Sequence, residues 1–213
     1  MALVFKDNVS LPEHSAGGFD HGDVHPATGR VFVAHTANGT VDVIDGAGLR
    51  LERSLPGCAE GSGVLHASNK REFIFAAARG DGHLVVFDPG GLEQLGRFAV
   101  GPKPNGLAWD HGRGQVLVTD VENFDARLLN PHTGACQVIH QLPGRPRWCA
   151  YDAPRQRFLV NIRDPACVVG LAADTLAEVA RIEGLAAGPH GLDLDRAGQR
   201  AFVACDAGSV SVG

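Results

Sequence analysis

Lysine is almost missing from this chain. Lys6, Lys70 and Lys103 are the whole complement, and the rest of the positive charge is arginine. With 19 basic against 24 acidic residues the formal charge is −5. Nucleic-acid binders present a basic surface that displaces phosphate counterions, so no nucleic-acid partner is expected. No apolar run approaches the ~18 residues that suggest a membrane helix. The start, MALVFKDNVSLPEH, has neither a basic segment nor a signal-like apolar stretch. No membrane partner is expected, and the simplest location is cytoplasmic. The five cysteines, Cys58, Cys136, Cys149, Cys167 and Cys205, show no C-x-x-C spacing. That argues against a zinc ribbon, a haem attachment site or a small disulfide scaffold, and they read as reduced, small apolar fillers. No G-x-S-x-G, H-E-x-x-H, Walker or Rossmann glycine pattern occurs, so nucleophilic catalysis and nucleotide binding find no support.

What the chain has in quantity is glycine, 28 of 213 residues, set among Pro, Asn and Asp in clusters such as DHGRG, NPHTG, DPGG and DGAG. Such punctuation bounds many short strands. The strands repeat. The apolar triplets Val31-Phe-Val33, Phe73-Ile-Phe75, Val116-Leu-Val118, Phe158-Leu-Val160 and Ala201-Phe-Val203 begin 42, 43, 42 and 43 residues apart. Further markers keep the period: Val41–Asp45, Leu84–Asp88, Ala126–Asn130 and Val168–Ala172, and then Leu55-Pro-Gly57, Val100-Gly-Pro102, Leu142-Pro-Gly144 and Ala187-Gly-Pro189. Each unit holds four short strands, which in the third are 107–110, 115–120, 126–130 and 137–142. The connections leave no room for crossover helices, so neighbours are antiparallel. The most helix-like run, Ala172–Arg181, falls where the period requires a turn and a fourth strand, and is assigned to them. Asp45, Asp88 and Asn130 read as turn formers bonding local backbone.

A four-stranded unit of this size cannot bury both faces alone, and stacking such units around an axis does so. The fold class is therefore all-β, a single β-propeller over 1–213 built from ~42-residue four-stranded antiparallel blades. The blades fall at 17–57, 58–101, 102–144 and 145–188, with a partial blade at 189–213. Residues 1–16 carry Leu3–Leu11, an orphan outer strand of a closing blade. It either completes the fifth blade as a ring or belongs to a larger propeller of which five blades are present. The abrupt stop inside a strand favours the second, an open arc with Asp20 and His190 on opposite flanks of a gap.

The repeats resemble those of the YVTN/YncE-like propellers, related to NHL-type and virginiamycin-lyase-like propellers. The resemblance rests on Phe19-Asp-His21, Val24–Arg30, Val31–His35 and Val41–Asp45, repeated with variation to the end. It implies a seven-bladed fold and leaves function open between binding proteins and a few enzymes. A second resemblance is to the gluconolactonase/regucalcin propellers, through Pro104-Asn-Gly-Leu-Ala-Trp-Asp110 and Pro189-His-Gly-Leu-Asp-Leu-Asp195. It implies one divalent metal held by Glu, Asn and Asp. The Asn falls on Asn105, but the Asp position holds His190, and Glu13 is the only glutamate near the place of the Glu.

In a four-stranded meander the inter-blade connections and the loops after second strands emerge at one end, the mouth of the axial channel. The first set offers Asp20, His21, Asn105, Arg147 and His190, with Ser62 beside them. The second offers His35, Asp120, Arg163 and Asp206, with Arg79 beside them. Such a mixed ring suits a small polar or anionic ligand, or a protein loop. Asn105-Gly106 also reads as a plain turn, since both residues tolerate left-handed backbone. The function that follows is a non-enzymatic binding or scaffold propeller with no cofactor. The alternative is a metal-dependent sugar-lactone hydrolase.

Overall fold

The structure, a computed structural model, describes residues 4–14 and 16–213. Among the described residues nineteen strands form five antiparallel sheets, each in sequence order. The first blade is β1 (Gly22–Val24), β2 (Arg30–His35), β3 (Thr40–Asp45) and β4 (Arg50–Leu55). The second is β5 (Gly61–Ser68), β6 (Glu72–Ala78), β7 (His83–Phe87) and β8 (Gln94–Ala99). The third is β9 (Pro104–Asp110), β10 (Gln115–Asp120), β11 (Asp125–Leu129) and β12 (Cys136–Gln141). The fourth is β13 (Pro146–Asp152), β14 (Arg157–Ile162), β15 (Cys167–Ala172) and β16 (Glu178–Ile182). The fifth has three strands, β17 (Pro189–Asp195), β18 (Arg200–Cys205) and β19 (Ser209–Val212). The blades make a five-bladed β-propeller, with β5 packed on β1 and β9, and β13 on β9 and β17. Among the described residues the only helical pieces are two 3-10 turns, Thr36–Asn38 and Ala153–Arg155.

Strand alternation decides how the blades pack. Val116 and Val118 point back toward the second blade and join Phe73, Phe75 and Leu84 in one apolar cluster. Leu117, between them, points forward and joins Phe158, Val160 and Leu171. Every second strand therefore serves two interfaces, as a period of two requires. The second blade departs from the expected frame by one residue. Ile74 and Ala76 face the first blade while Phe73 and Phe75 face the third. The counterpart of Val116 is thus Ile74, one place after the start of the apolar triplet. The run Phe73–Ala78 is apolar at every position, so its sequence carries no alternation from which to read the face.

Two further expectations change. Residues 4–13 form no strand, and Val4 and Phe5 are 80 % and 75 % exposed; Leu3 lies outside the described residues. No described residue of that segment pairs with β19. Nor is there a gap between Asp20 and His190 at the mouth, because the His21 and His190 rings lie 5.8 Å apart. The turn formers behave as read. Asp45 accepts from the amides of Ala47 and Gly48, Asp88 from Gly90 and Gly91, and Asn130 from His132 and Thr133. Cys58, Cys149, Cys167 and Cys205 are buried and Cys136 is exposed. Burial pushes the Cys58 and Cys149 thiols up to about 12, so both stay protonated and inert.

Leu117 is fully buried between the third and fourth blades. Leu117→Ala should lower the unfolding free energy by about 2–5 kcal/mol, measured by urea denaturation. Leu117→Asp should leave no soluble folded protein, because it buries an unpaired charge. Val210→Asp on β19, at a site 61 % exposed, should melt within a degree or two of wild type, roughly the shift expected of a surface change under 0.5 kcal/mol.

Candidate functional site

The mouth is built by one backbone feature repeated in four blades. Near the start of each inner strand two residues oppose one on the second strand. Ser62 and Gly63 oppose Ala77, Asn105 and Gly106 oppose Thr119, and Arg147 and Trp148 oppose Asn161. In the fifth blade His190 is the extra residue. Such bulges bend a strand and re-aim its side chains, here at the end facing the axis. Asn105-Gly106 is therefore part of a bulged strand and not a turn. Its glycine permits close approach: a Cβ on Gly106 would lie 2.2 Å from the Arg147 carbonyl oxygen, and one on Gly63 would lie 2.3 Å from that of Asn105.

Polar side chains close this belt. The Gly106 amide donates to Thr119 Oγ1 at 3.1 Å. Ser62 Oγ donates to the Pro104 carbonyl at 3.0 Å. Asn161 Nδ2 donates to the His190 and Gly191 carbonyls at 3.1 and 2.9 Å. The His21 amide donates to the Ser62 carbonyl at 3.1 Å. Thr119 and Asn161 were not candidates in the sequence. The signal available was a polar residue interrupting the apolar second strand just before its end.

Within the belt the His21 ring stacks on Trp148 at 4.1 Å, tilted by only 16°. His190 meets His21 edge-on. Asp20 lies 3.5 Å from His21 Nε2 and 3.8 Å from Arg79. The Arg147 side chain makes no hydrogen bond or ion pair among the described residues, and its Nε is buried without a partner. Asn105 Nδ2 is likewise buried and unpartnered. Burial holds the Arg147 guanidinium below its ordinary value, reinforced by Arg145 and Arg163 and opposed by Asp206 and Asp20. Burial also lowers His21 against the pull of Asp20, and lowers His190 with help from Arg147. Beside this group a cavity of about 680 Å³ is lined by Arg145, Arg163, Asp164, Gly188 and Asp206. Across it Arg163 Nη2 reaches Asp206 Oδ2 at 2.7 Å.

Asp20, His21, Arg147 and His190 are thus drawn together, with Arg163 and Asp206 at the cavity beside them. Asn105 sits in the belt, almost wholly buried. Asp120 belongs to the scaffold: its carboxylate accepts from the amides of Lys103, Glu122 and Asn123. His35 is not brought to the mouth. It is buried in the first blade, with Nδ1 2.8 Å from Asp42 and Nε2 3.0 Å from His14. Trp148 also lines a second cavity of about 540 Å³ with Leu107, Trp109 and Leu192. Among the described residues no three His, Cys, Asp or Glu ligand atoms at the mouth come within 4.8 Å of one another.

No family model matches the chain, and no curated protein matches it in sequence. Among solved structures it is similar to a chain of Kuenenia stuttgartiensis hydrazine synthase, with a TM-score of 0.78 and 11 % identity. The match covers 87 % of this chain and 55 % of that one. At such identity the likeness shows the β-propeller fold alone. Among the described residues no helix is long and apolar enough to cross a membrane.

The lowered values of His21 and His190 fix the sign of a pH effect. Each imidazole takes up its proton more readily when unfolded. Each therefore contributes stability that is complete above about pH 6.5 and is lost as pH falls through the folded-state value. Urea denaturation between pH 7.5 and 5 should show falling stability, by at most about 1.4 kcal/mol per pH unit for each imidazole. His21→Gln combined with His190→Gln should flatten the slope relative to wild type.

Proposed function

We propose that the protein is a binding propeller and not a catalyst, and that its mouth takes a small polar anion bearing carboxylate or phosphate oxygens. The observation that carries this reading is Arg147, a partly buried guanidinium with no acceptor for its Nε. An unpaired cation in such a place is costly. A carboxylate or phosphate matches its planar fork with two parallel hydrogen bonds. Arg145 and Arg163 add positive potential beside it. Asp20 and Asp206 favour an anion that also carries hydroxyl donors, and the neutral His21 and His190 rings suit either role. The YVTN/YncE-like repeats accord with a binding role.

Thermal unfolding with inorganic phosphate and a panel of small carboxylates and hydroxycarboxylates tests the proposal. At least one anion should raise the melting temperature progressively with its concentration, reaching about 2.7 kcal/mol of stabilisation at a hundredfold excess over its Kd. Arg147→Met should abolish that shift while melting, without ligand, at or above wild type, because it removes a poorly solvated charge. No shift with any anion beyond that of chloride at equal ionic strength, or one that survives Arg147→Met, would count against the reading.

A further inference from the structure

At the end of the propeller opposite the mouth, three side chains from the first two blades meet. His25 follows β1, His66 lies near the end of β5, and Glu72 opens β6. His25 Nε2 is 3.2 Å from Glu72 Oε2, and His66 Nε2 is 3.6 Å from Glu72 Oε1. The two rings lie 4.7 Å apart. One ligand atom from each residue falls within 4.8 Å of the others. His25 is 5 % exposed and the His66 side chain 10 %.

His66 Nε2 is buried and has no hydrogen-bond partner. Buried polar atoms are very rarely left so, and 3.6 Å to the carboxylate is too long for a hydrogen bond. The spacing fits an ion better. Zinc bonds of about 2.0–2.2 Å to imidazole and carboxylate place tetrahedral ligand atoms roughly 3.3 Å apart. Two imidazoles with one carboxylate select a transition metal over calcium or magnesium. The backbone is already held for it, since the His66 amide donates to Asp23 Oδ2 at 2.8 Å.

We propose that His25, His66 and Glu72 form a divalent transition-metal site of zinc type, with three protein ligands and a fourth position for water, that clamps the first blade to the second. The fourth position lies near the cavity of about 540 Å³ that His66 lines with Asp23, His111 and Asp193. Ligation through His25 Nε2 moves that ring's proton to Nδ1. This ends the 3.3 Å bond that Nδ1 now accepts from the Thr28 amide. Thr28 is exposed, so its amide passes to water and reports the event.

The test uses the full chain treated with chelator and carrying Cys136→Ser, because the exposed Cys136 thiol is a competing zinc ligand. Calorimetric titration should give one equivalent of Zn2+, a rise in melting temperature and a shift of the Thr28 amide resonance. Mg2+ and Ca2+ should give none of these. Co2+ should give the intense visible bands of a four-coordinate ion. His66→Ala and Glu72→Gln should each weaken Zn2+ binding by about a hundredfold or more, at least the upper range for losing an outer-shell partner. His132→Ala, at an exposed histidine, should leave it unchanged. Glu72→Gln changes a half-exposed side chain and keeps the fold, so the test stands even if His66→Ala does not express. Absence of stoichiometric binding, or equal affinity in Glu72→Gln, would overturn the site and leave only the His25–Glu72 hydrogen bond with His66 beside it.

Discussion

Crowding at the axis is the constraint from which the rest of this structure follows. Inner strands of neighbouring blades approach so closely that the Gly63 and Gly106 positions, facing the carbonyls of Asn105 and Arg147, have no room for a Cβ. The strands relieve the crowding by bulging, and each bulge leaves ladder groups in need of partners. Thr119, Asn161 and Ser62 supply them. The polar residues near the ends of otherwise apolar strands therefore satisfy buried backbone and hold the bulges in shape.

That belt decides what the mouth can be. The bulges turn Arg147 and His190 inward, and Trp148 stacks on His21 while also lining the second cavity. The mouth is a shallow cluster in which an unpaired guanidinium sits among neutral imidazoles and two carboxylates. The opposite end has a different chemistry, with two imidazoles and a carboxylate at the junction of the first two blades. Apolar clusters between the blades, such as that of Leu117, Phe158 and Val160, separate the two ends and give both a stiff frame.

Local chemistry was legible in the chain. Asp45, Asp88 and Asn130 could be read as turn formers because a side-chain oxygen two or three residues from an amide is a local event. The turn and fourth strand assigned over Ala172–Arg181 against its helical look are present as the turn after β15 and as β16, because the period outweighs propensity in one unit. Where alternation failed, in the all-apolar Phe73–Ala78, the frame slipped by one residue. Asn105-Gly106 was ambiguous for a related reason: the same pair serves a turn or a bulge, and only the neighbouring strand distinguishes them.

The sequence by itself determined the repeat, the strand count of each unit and the turns, since these depend on contacts between residues close along the chain or one period apart. The tertiary structure alone decided that His21 meets Trp148 and His190, that His35 turns inward to Asp42, and that His25 and His66 share Glu72. These contacts join different blades, or a strand to its partner, at registers set by bulges and inter-blade packing. No local pattern encodes them, because a side chain's direction at the axis depends on how closely the next blade approaches.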